Sequence, residues 1–362
     1  MFMKRFAELV FEHPEILDNF LFGNGFSQSF HSAFKYKSLY ENVKNNLEAA
    51  DRRLFEDVLD TTNFEMVLNR ILHTQDVNKV YGLCSNHLDQ SYQNIKMHLI
   101  HSVNNSHPCF KEIAKSRDRL AWSFGIFKRN IFTTNYDLLT YWGLIELLDN
   151  KRNVKDGFSS KNWSLVFDRT NFRADALNFY YLHGALHFYE ENGKIKKTKA
   201  GTDNLLKSVT QQFENERFPL YVSEGSTEKK EAQIKSNYYF LSCMDKLHKI
   251  KKGLTIFGQD LNQQYDGHIL DALNKSEKLE YIAYGIYPTE TDTYSDIKHR
   301  IEKLLRTSNK TVLFFDSRTF FDSVKEIATE GCSFHNDPSV FPERILLASF
   351  NHNKIKKQAP QI

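Results

Sequence analysis

The chain has little cysteine, little charge imbalance and no long apolar run, and each shortage excludes something. Four cysteines, Cys84, Cys109, Cys243 and Cys332, are scattered through 362 residues. No C-x-x-C pair exists among them, so neither a zinc ribbon nor a disulfide framework is readable. Reduced, mostly buried thiols are the expectation. Lys+Arg 48 against Asp+Glu 45 leaves a net charge of +3, too small an imbalance to point to nucleic acid. Apolar runs stop far short of the ~20 residues that span a bilayer. The N-terminus, MFMKRFAELVFEHPEIL, shows no signal-peptide pattern, so a cytoplasmic protein with no membrane association is expected. With 15 Gly and 7 Pro, collagen-like and low-complexity classes drop out.

What is present is core material. The composition is 41% hydrophobic with 30 Phe, enough to bury a sizeable interior. The length fits two to three domains of about 150 residues, or one large domain carrying an insertion. Six apolar segments read as strands: 19–22, 130–134, 178–182, 253–257, 280–286 and 311–315. Most are followed by a helical pattern. Such alternation predicts an α/β fold, a doubly wound, mostly parallel six-stranded Rossmann-like sheet with helices on both faces. Residues 44–125 differ, with Phe64, Val67, Leu68, Ile71 and Leu72 at helical spacing and a further face at Tyr92, Ile95, Leu99 and Val103. This segment reads as a helical insertion of three or four helices, broken near Pro108. The domain is then discontinuous, 1–43 with 126–330, and 331–362 is an irregular C-terminal segment. Asn192-Gly193 signals a hairpin, and the basic stretch GSTEKKEAQIK near residue 230 reads as a solvated loop or helix face.

In a sheet of this kind ligands lie beyond the carboxyl ends of the strands. The residues there are Gly23-Asn24-Gly25-Phe26-Ser27, Thr133-Thr134-Asn135-Tyr136-Asp137, His183-Gly184 and Gly258-Gln259-Asp260. Glycines before a helix let the backbone approach a diphosphate, although an ordinary tight turn needs them too. Asn135 is placed to hold a ribose hydroxyl or a water, or to cap the helix that follows; Asp137 is the better cap. His183 is placed to act as a base on a sugar hydroxyl, or is a buried structural histidine. His187 makes a metal pair with it conceivable, but no third ligand is evident, and no metal site is expected.

Taken together and in order, G-N-G-F-S, T-T-N-Y-D, H-G and G-Q-D-L (258–261) resemble the sirtuin (silent information regulator-like) NAD-binding family over residues 18–43 and about 126–320. The segment GQDLNQQYDGHIL (258–270) brings the chain closest to the bacterial sirtuin-like proteins of anti-phage defence and abortive infection. That resemblance implies an NAD hydrolase that releases nicotinamide and ADP-ribose and depletes the cofactor in an infected cell. NAD is then substrate, and no zinc is expected. The implied catalytic residues are Asn135 and His183. The implied cofactor contacts are Gly23, Asn24, Gly25, Ser27, Thr134, Asp137, Gly258 and Asp266, with Asp266 and His268 also readable as a helix-start pair. The resemblance further implies an oligomer, a partner protein encoded nearby, or both, and a phage-derived trigger. There are departures. The zinc ribbon is missing, FHSAFKYKSL stands where the family has I-P-D-F-R, and Asp260 stands where it usually has Ser or Thr. The first two features serve protein deacylation, so hydrolysis is expected over deacylation. An NAD- or ADP-ribose-binding sensor without turnover is the other alternative.

Overall fold

A computed structural model describes residues 3–34, 40–62, 64–161, 163–199, 204–222, 227–290, 292–305 and 309–330. The expected irregular segment 331–362 lies outside these residues. The strands in chain order are β1 (Asn19–Phe22), β2 (Asn130–Thr133), β3 (Val154–Lys155), β4 (Phe158–Lys161), β5 (Ser164–Phe167), β6 (Leu177–Tyr181) and β7 (Gly184–Ala185). They continue with β8 (Phe188–Glu191), β9 (Lys194–Lys197), β10 (Leu220–Tyr221), β11 (Lys252–Phe257), β12 (Leu279–Ile286) and β13 (Thr311–Asp316).

The main sheet is parallel throughout, in the order β13-β12-β11-β1-β2-β6-β3. All six segments read as apolar strands are in it, so the α/β parallel architecture is as expected. The count is seven, not six. The added strand, β3, is two residues at the edge beside β6, too short to carry a periodicity. Among the six long strands the order reverses between β1 and β11, as in Rossmann-like sheets.

Continuous apolar runs are what a strand buried on both faces requires. Along β6 the two faces part company: Phe179 meets Phe124, whereas Tyr180 lies beside Cys243. Phe124 belongs to one layer of helices, Phe6–Glu12, Arg117–Gly125 and Phe320–Glu330. Cys243 belongs to the other, Thr227–Ser236, Tyr238–His248 and Gln263–Lys275. On the first face β1 contributes Phe20, stacked on Phe127 at 4.4 Å between centroids, and Phe22, packed against Phe26 and Phe124. The aromatic wealth of the sequence is spent here.

Two expectations are redrawn. The segment 44–125 contains two long helices, Phe64–Val80 and Asn86–Ser106, with a break at His107-Pro108. Its last helix, Arg117–Gly125, however, belongs to the sheet layer, because Phe124 is core against β1 and β6. Its apolar positions have helical spacing like the rest of the insertion, so pattern alone could not separate it. A second, antiparallel sheet, β4-β5-β9-β8, was not anticipated. Its β8–β9 turn is the expected hairpin, with Asn192 and Gly193 both at positive φ (53° and 67°), as a type I′ turn demands.

Phe20 is fully buried and Trp163 fully exposed. Phe20→Ala should lower unfolding free energy by about 3–5 kcal/mol, while Trp163→Ala changes it by less than about 0.5 kcal/mol. Urea unfolding of both variants checks this, and equal effects would contradict the packing.

Candidate functional site

The register fixes where the site lies. Phe22 pairs with Phe257 on one side and Thr133 on the other, and Thr133 pairs with Tyr181. Four neighbouring strands, β11, β1, β2 and β6, therefore end in one row. The residues that follow are Gly258, Gly23, Thr134-Asn135 and Leu182-His183, so the fold collects the polar strand ends singled out in the sequence. The reversal of strand order between β1 and β11 lies within this row, and such a crevice is where open α/β sheets bind ligands.

At the reversal the two glycine loops touch backbone to backbone. The Gly23 N–H donates to the Phe257 carbonyl at 3.2 Å and the Gly25 N–H to the Gly258 carbonyl at 3.0 Å. A Cβ on Gly25 would lie 2.7 Å from the Gly258 Cα, and one on Gly23 would lie 2.0 Å from Gln259 Oε1. The glycines are thus required by the close approach of β1 and β11, and their N–H groups are engaged in joining the strands. Gln259 covers Gly23 and is held there by the Thr134 hydroxyl, which donates to its Oε1 at 2.7 Å. Asn24 opens the short helix Asn24–Gln28 and is half-buried.

Asn135 does not cap a helix. Its amide donates to the Gly23 carbonyl at 3.0 Å and to Ser27 Oγ at 2.8 Å. The Ser27 hydroxyl in turn donates to Asp137 Oδ2 at 2.6 Å. The other carboxylate oxygen of Asp137 accepts from the Leu139 N–H at 2.9 Å, at the start of the helix Leu139–Asp149. All three side chains are buried. Both amide protons of Asn135 are committed, which leaves Oδ1 as its remaining polar atom. Burial pushes the Asp137 carboxyl up to about 6, against the lowering effect of its two hydrogen bonds.

His183 pairs with His268, Nε2 to Nε2 at 2.8 Å. Its own carbonyl accepts from the Val222 N–H at 2.8 Å, which anchors the segment to the strand end beyond β10. Burial holds the His183 imidazole well below its ordinary value, reinforced by His268 and the nearby Lys230 ammonium. Burial and then Lys230 push His268 down to about 3. Both rings are neutral near pH 7. His187 turns to different neighbours, stacking on Tyr141 at 4.4 Å. Among the described residues no cluster of three or more His, Cys, Asp or Glu side chains is arranged to hold a metal ion.

Asp266 lies at a kink (φ −123°, ψ 17°) inside the helix Gln263–Lys275. It is buried, and Oδ2 accepts from the Asn262 N–H at 3.2 Å. It shapes the turn into this helix, and burial raises its pKa while Lys230 opposes the rise. Asp260 turns outward to Arg300, 2.7 Å away. Its charge is compensated there rather than aimed at the crevice.

The chain belongs to the DUF4917 family. The family profile, described as a domain of unknown function, matches residues 20–321. No curated protein matches the chain. The DUF4917 match takes in every residue of the site. Among the described residues, no helix of this DUF4917 chain is long and apolar enough to cross a membrane.

Sequence reasoning missed four contributors. Gln259 carried no signal beyond its place after Gly258. His268 was visible in D-G-H-I-L, but its partner could be known only from the fold. Thr227 and Lys230 come from the polar stretch read as a solvated face; Thr227 Oγ1 accepts from the Gly267 N–H at 2.9 Å and Lys230 donates to the Tyr265 carbonyl at 3.0 Å.

Asp137 offers a titration test. Its folded pKa, near 6, lies above the model-peptide value of 3.8. The stability it adds is therefore complete below 3.8 and lost as pH rises to about 6. The unfolding free energy of wild type minus that of Asp137→Asn should fall between about pH 4 and pH 6, by an amount on the order of 2–3 kcal/mol, and stay flat above. A pH-independent difference would mean Asp137 does not titrate as assigned.

Proposed function

We propose that this chain is an NAD glycohydrolase with a sirtuin-type fold, acting in bacterial defence against phage by depleting NAD. The observation that carries the reading is the row of strand ends. Asn135, backed by Ser27 and Asp137, and the neutral His183 follow neighbouring strands β2 and β6, beside a glycine-lined reversal of strand order. These pieces stand in the order that the resemblance requires.

The chemistry suits these groups. Breaking the bond between nicotinamide and ribose develops oxocarbenium character at the anomeric carbon. The electron pair of that bond goes to the pyridinium nitrogen, so nicotinamide leaves neutral and needs no strong acid. A water oxygen bonds to the anomeric carbon, and its proton passes to solvent. Overall, NAD and water give nicotinamide, ADP-ribose and a proton. The Oδ1 of Asn135 aligns the ribose and the attacking water, fixed by the two bonds its amide makes. The His183 ring engages a ribose hydroxyl. A preorganised amide of this kind costs no reorganisation when charge develops.

Gly23, Gly25 and Gly258 line the place for the diphosphate, with Thr134 and Gln259 at its entrance. Because Gln259 lies over Gly23, the diphosphate enters once that side chain swings aside. Slow turnover until a trigger shifts the loop follows from this, while assembly with a partner rests on the resemblance alone. The route through a deacylase is disfavoured by the scattered cysteines.

Overexpressed wild type should deplete cellular NAD, and His183→Ala and Asn135→Ala should each slow nicotinamide release by at least about 100-fold. Purified protein with NAD, with and without an acylated peptide, separates the alternatives. Release without peptide supports hydrolysis. Release only with peptide would make the protein a deacylase, and binding without turnover, in the purified protein and in overexpressing cells alike, would make it a sensor. Depletion by both variants at the wild-type rate would overturn the site.

A further inference from the structure

We infer that His268 is a positioning residue that donates from its Nε2–H to His183 Nε2, and thereby fixes His183 with its proton on Nδ1, facing the crevice as a hydrogen-bond donor. The chemical role of that donor rests on the proposed cleavage of NAD, whereas the pairing itself rests on geometry. The inference reverses the sequence-based expectation of His183 as a base.

The two Nε2 atoms are 2.8 Å apart. Imidazole nitrogens at that distance share one proton: one ring donates and the other accepts. Both rings are buried, His183 at 7% and His268 at 4% exposure. Burial and the Lys230 ammonium disfavour a charge on either ring, so each carries one proton and two arrangements remain. In the first, His183 donates; His268 must then keep its own proton on Nδ1. In the second, His268 donates and its Nδ1 is a bare lone pair.

The Nδ1 of His268 decides between them. It is buried and has no partner among the described residues. An orphaned buried N–H is rarer in folded proteins than an acceptor left without a donor. The second arrangement is therefore favoured, and it leaves His183 no lone pair outside the pair. With Nε2 taken by the pair, Nδ1 is the ring nitrogen of His183 left to meet a ligand. What it recognises is an oxygen acceptor, a ribose hydroxyl in the proposed reaction. No proton is transferred in this contact; the N–H fixes the rotation of that hydroxyl and with it the orientation of the ribose.

The supports of His268 are built for fixed orientation. It lies two residues beyond the kink at Asp266, and the intervening Gly267 N–H is taken by Thr227 Oγ1 at 2.9 Å. Thr227 Oγ1 also donates toward the Gln263 and Gln264 carbonyls at 3.1 and 3.0 Å. A backbone held this way fixes where the His268 ring starts, and the ring's bond to His183 sets the tautomer of its partner, as outer partners of histidine do elsewhere.

Nitrogen NMR of the full chain with 15N-labelled histidine tests the pairing, with His183→Asn and His268→Gln assigning the signals. The expected result is a protonated Nδ1 and bare Nε2 on His183, and the converse on His268. A proton on His183 Nε2 would overturn the inference. Kinetics supply the second readout. His268→Leu should lower kcat for nicotinamide release by about 10-fold with KM for NAD within about 2-fold, and His268→Gln, which retains a donor, should recover most of the loss. A kcat unchanged in His268→Leu, or no recovery in His268→Gln, would remove the positioning role. If triggered wild type releases no nicotinamide, the NAD reading falls, and the nitrogen signals alone decide the pairing.

Discussion

The 3.0 Å hydrogen bond from the Gly25 N–H to the Gly258 carbonyl is the contact on which the site depends. A parallel sheet that reverses its strand order must bring two loops side by side where the strands turn toward opposite layers. Here the approach is so close that neither loop tolerates a Cβ at the contact. With β1 and β11 joined in this way, the ladder extends one residue beyond each strand. The polar ends of β2 and β6 then fall into the same row.

Much of this was legible because strands buried on both faces must be apolar without interruption. Phe20-Leu21-Phe22 and Leu254-Thr255-Ile256-Phe257 announce themselves, and so do the polar residues that end them. What escaped notice has physical reasons. β3 is two residues long and draws its order from the neighbouring β6. The β4–β5 hairpin is half-exposed on Ser and Lys positions, so no alternation marks it. Arg117–Gly125 has the same periodicity as the insertion before it, and only its contact with Phe22 and Phe179 assigns it to the sheet. Thr227 and Lys230 belong to a stretch whose composition is that of a solvated surface, and their role depends on a helix more than thirty residues later.

The site is polar but almost uncharged at its floor. Asp137 is the one buried carboxylate beneath Asn135, and burial moves it toward protonation, with Ser27 and the Leu139 N–H pulling the other way. The balance matters because the carboxylate orients Ser27, and Ser27 completes the bonding of the Asn135 amide. Losing any link frees the amide to rotate. The other charges are compensated where they stand: exposed Asp260 by Arg300, and buried Asp266 by its own turn and the Lys230 field.

The imidazole pair adds a constraint of a different kind. β6 and β11 are separated in the sheet by β1 and β2, yet His183, two residues past β6, is hydrogen-bonded to the helix after β11. That bond ties the two halves of the doubly wound sheet a second time, on the far side of the glycine contact. The crevice is therefore held by contacts of unequal stiffness. The glycine contact is backbone on backbone and cannot yield without parting the strands. The histidine contact is side chain to side chain, and a change in either ring, its rotamer or its proton, alters it without disturbing the sheet. On the proposed NAD reading, a movement that admits the dinucleotide would start at the more yielding boundary, with Gln259, Thr134 and the imidazoles rearranging while the glycines stay joined.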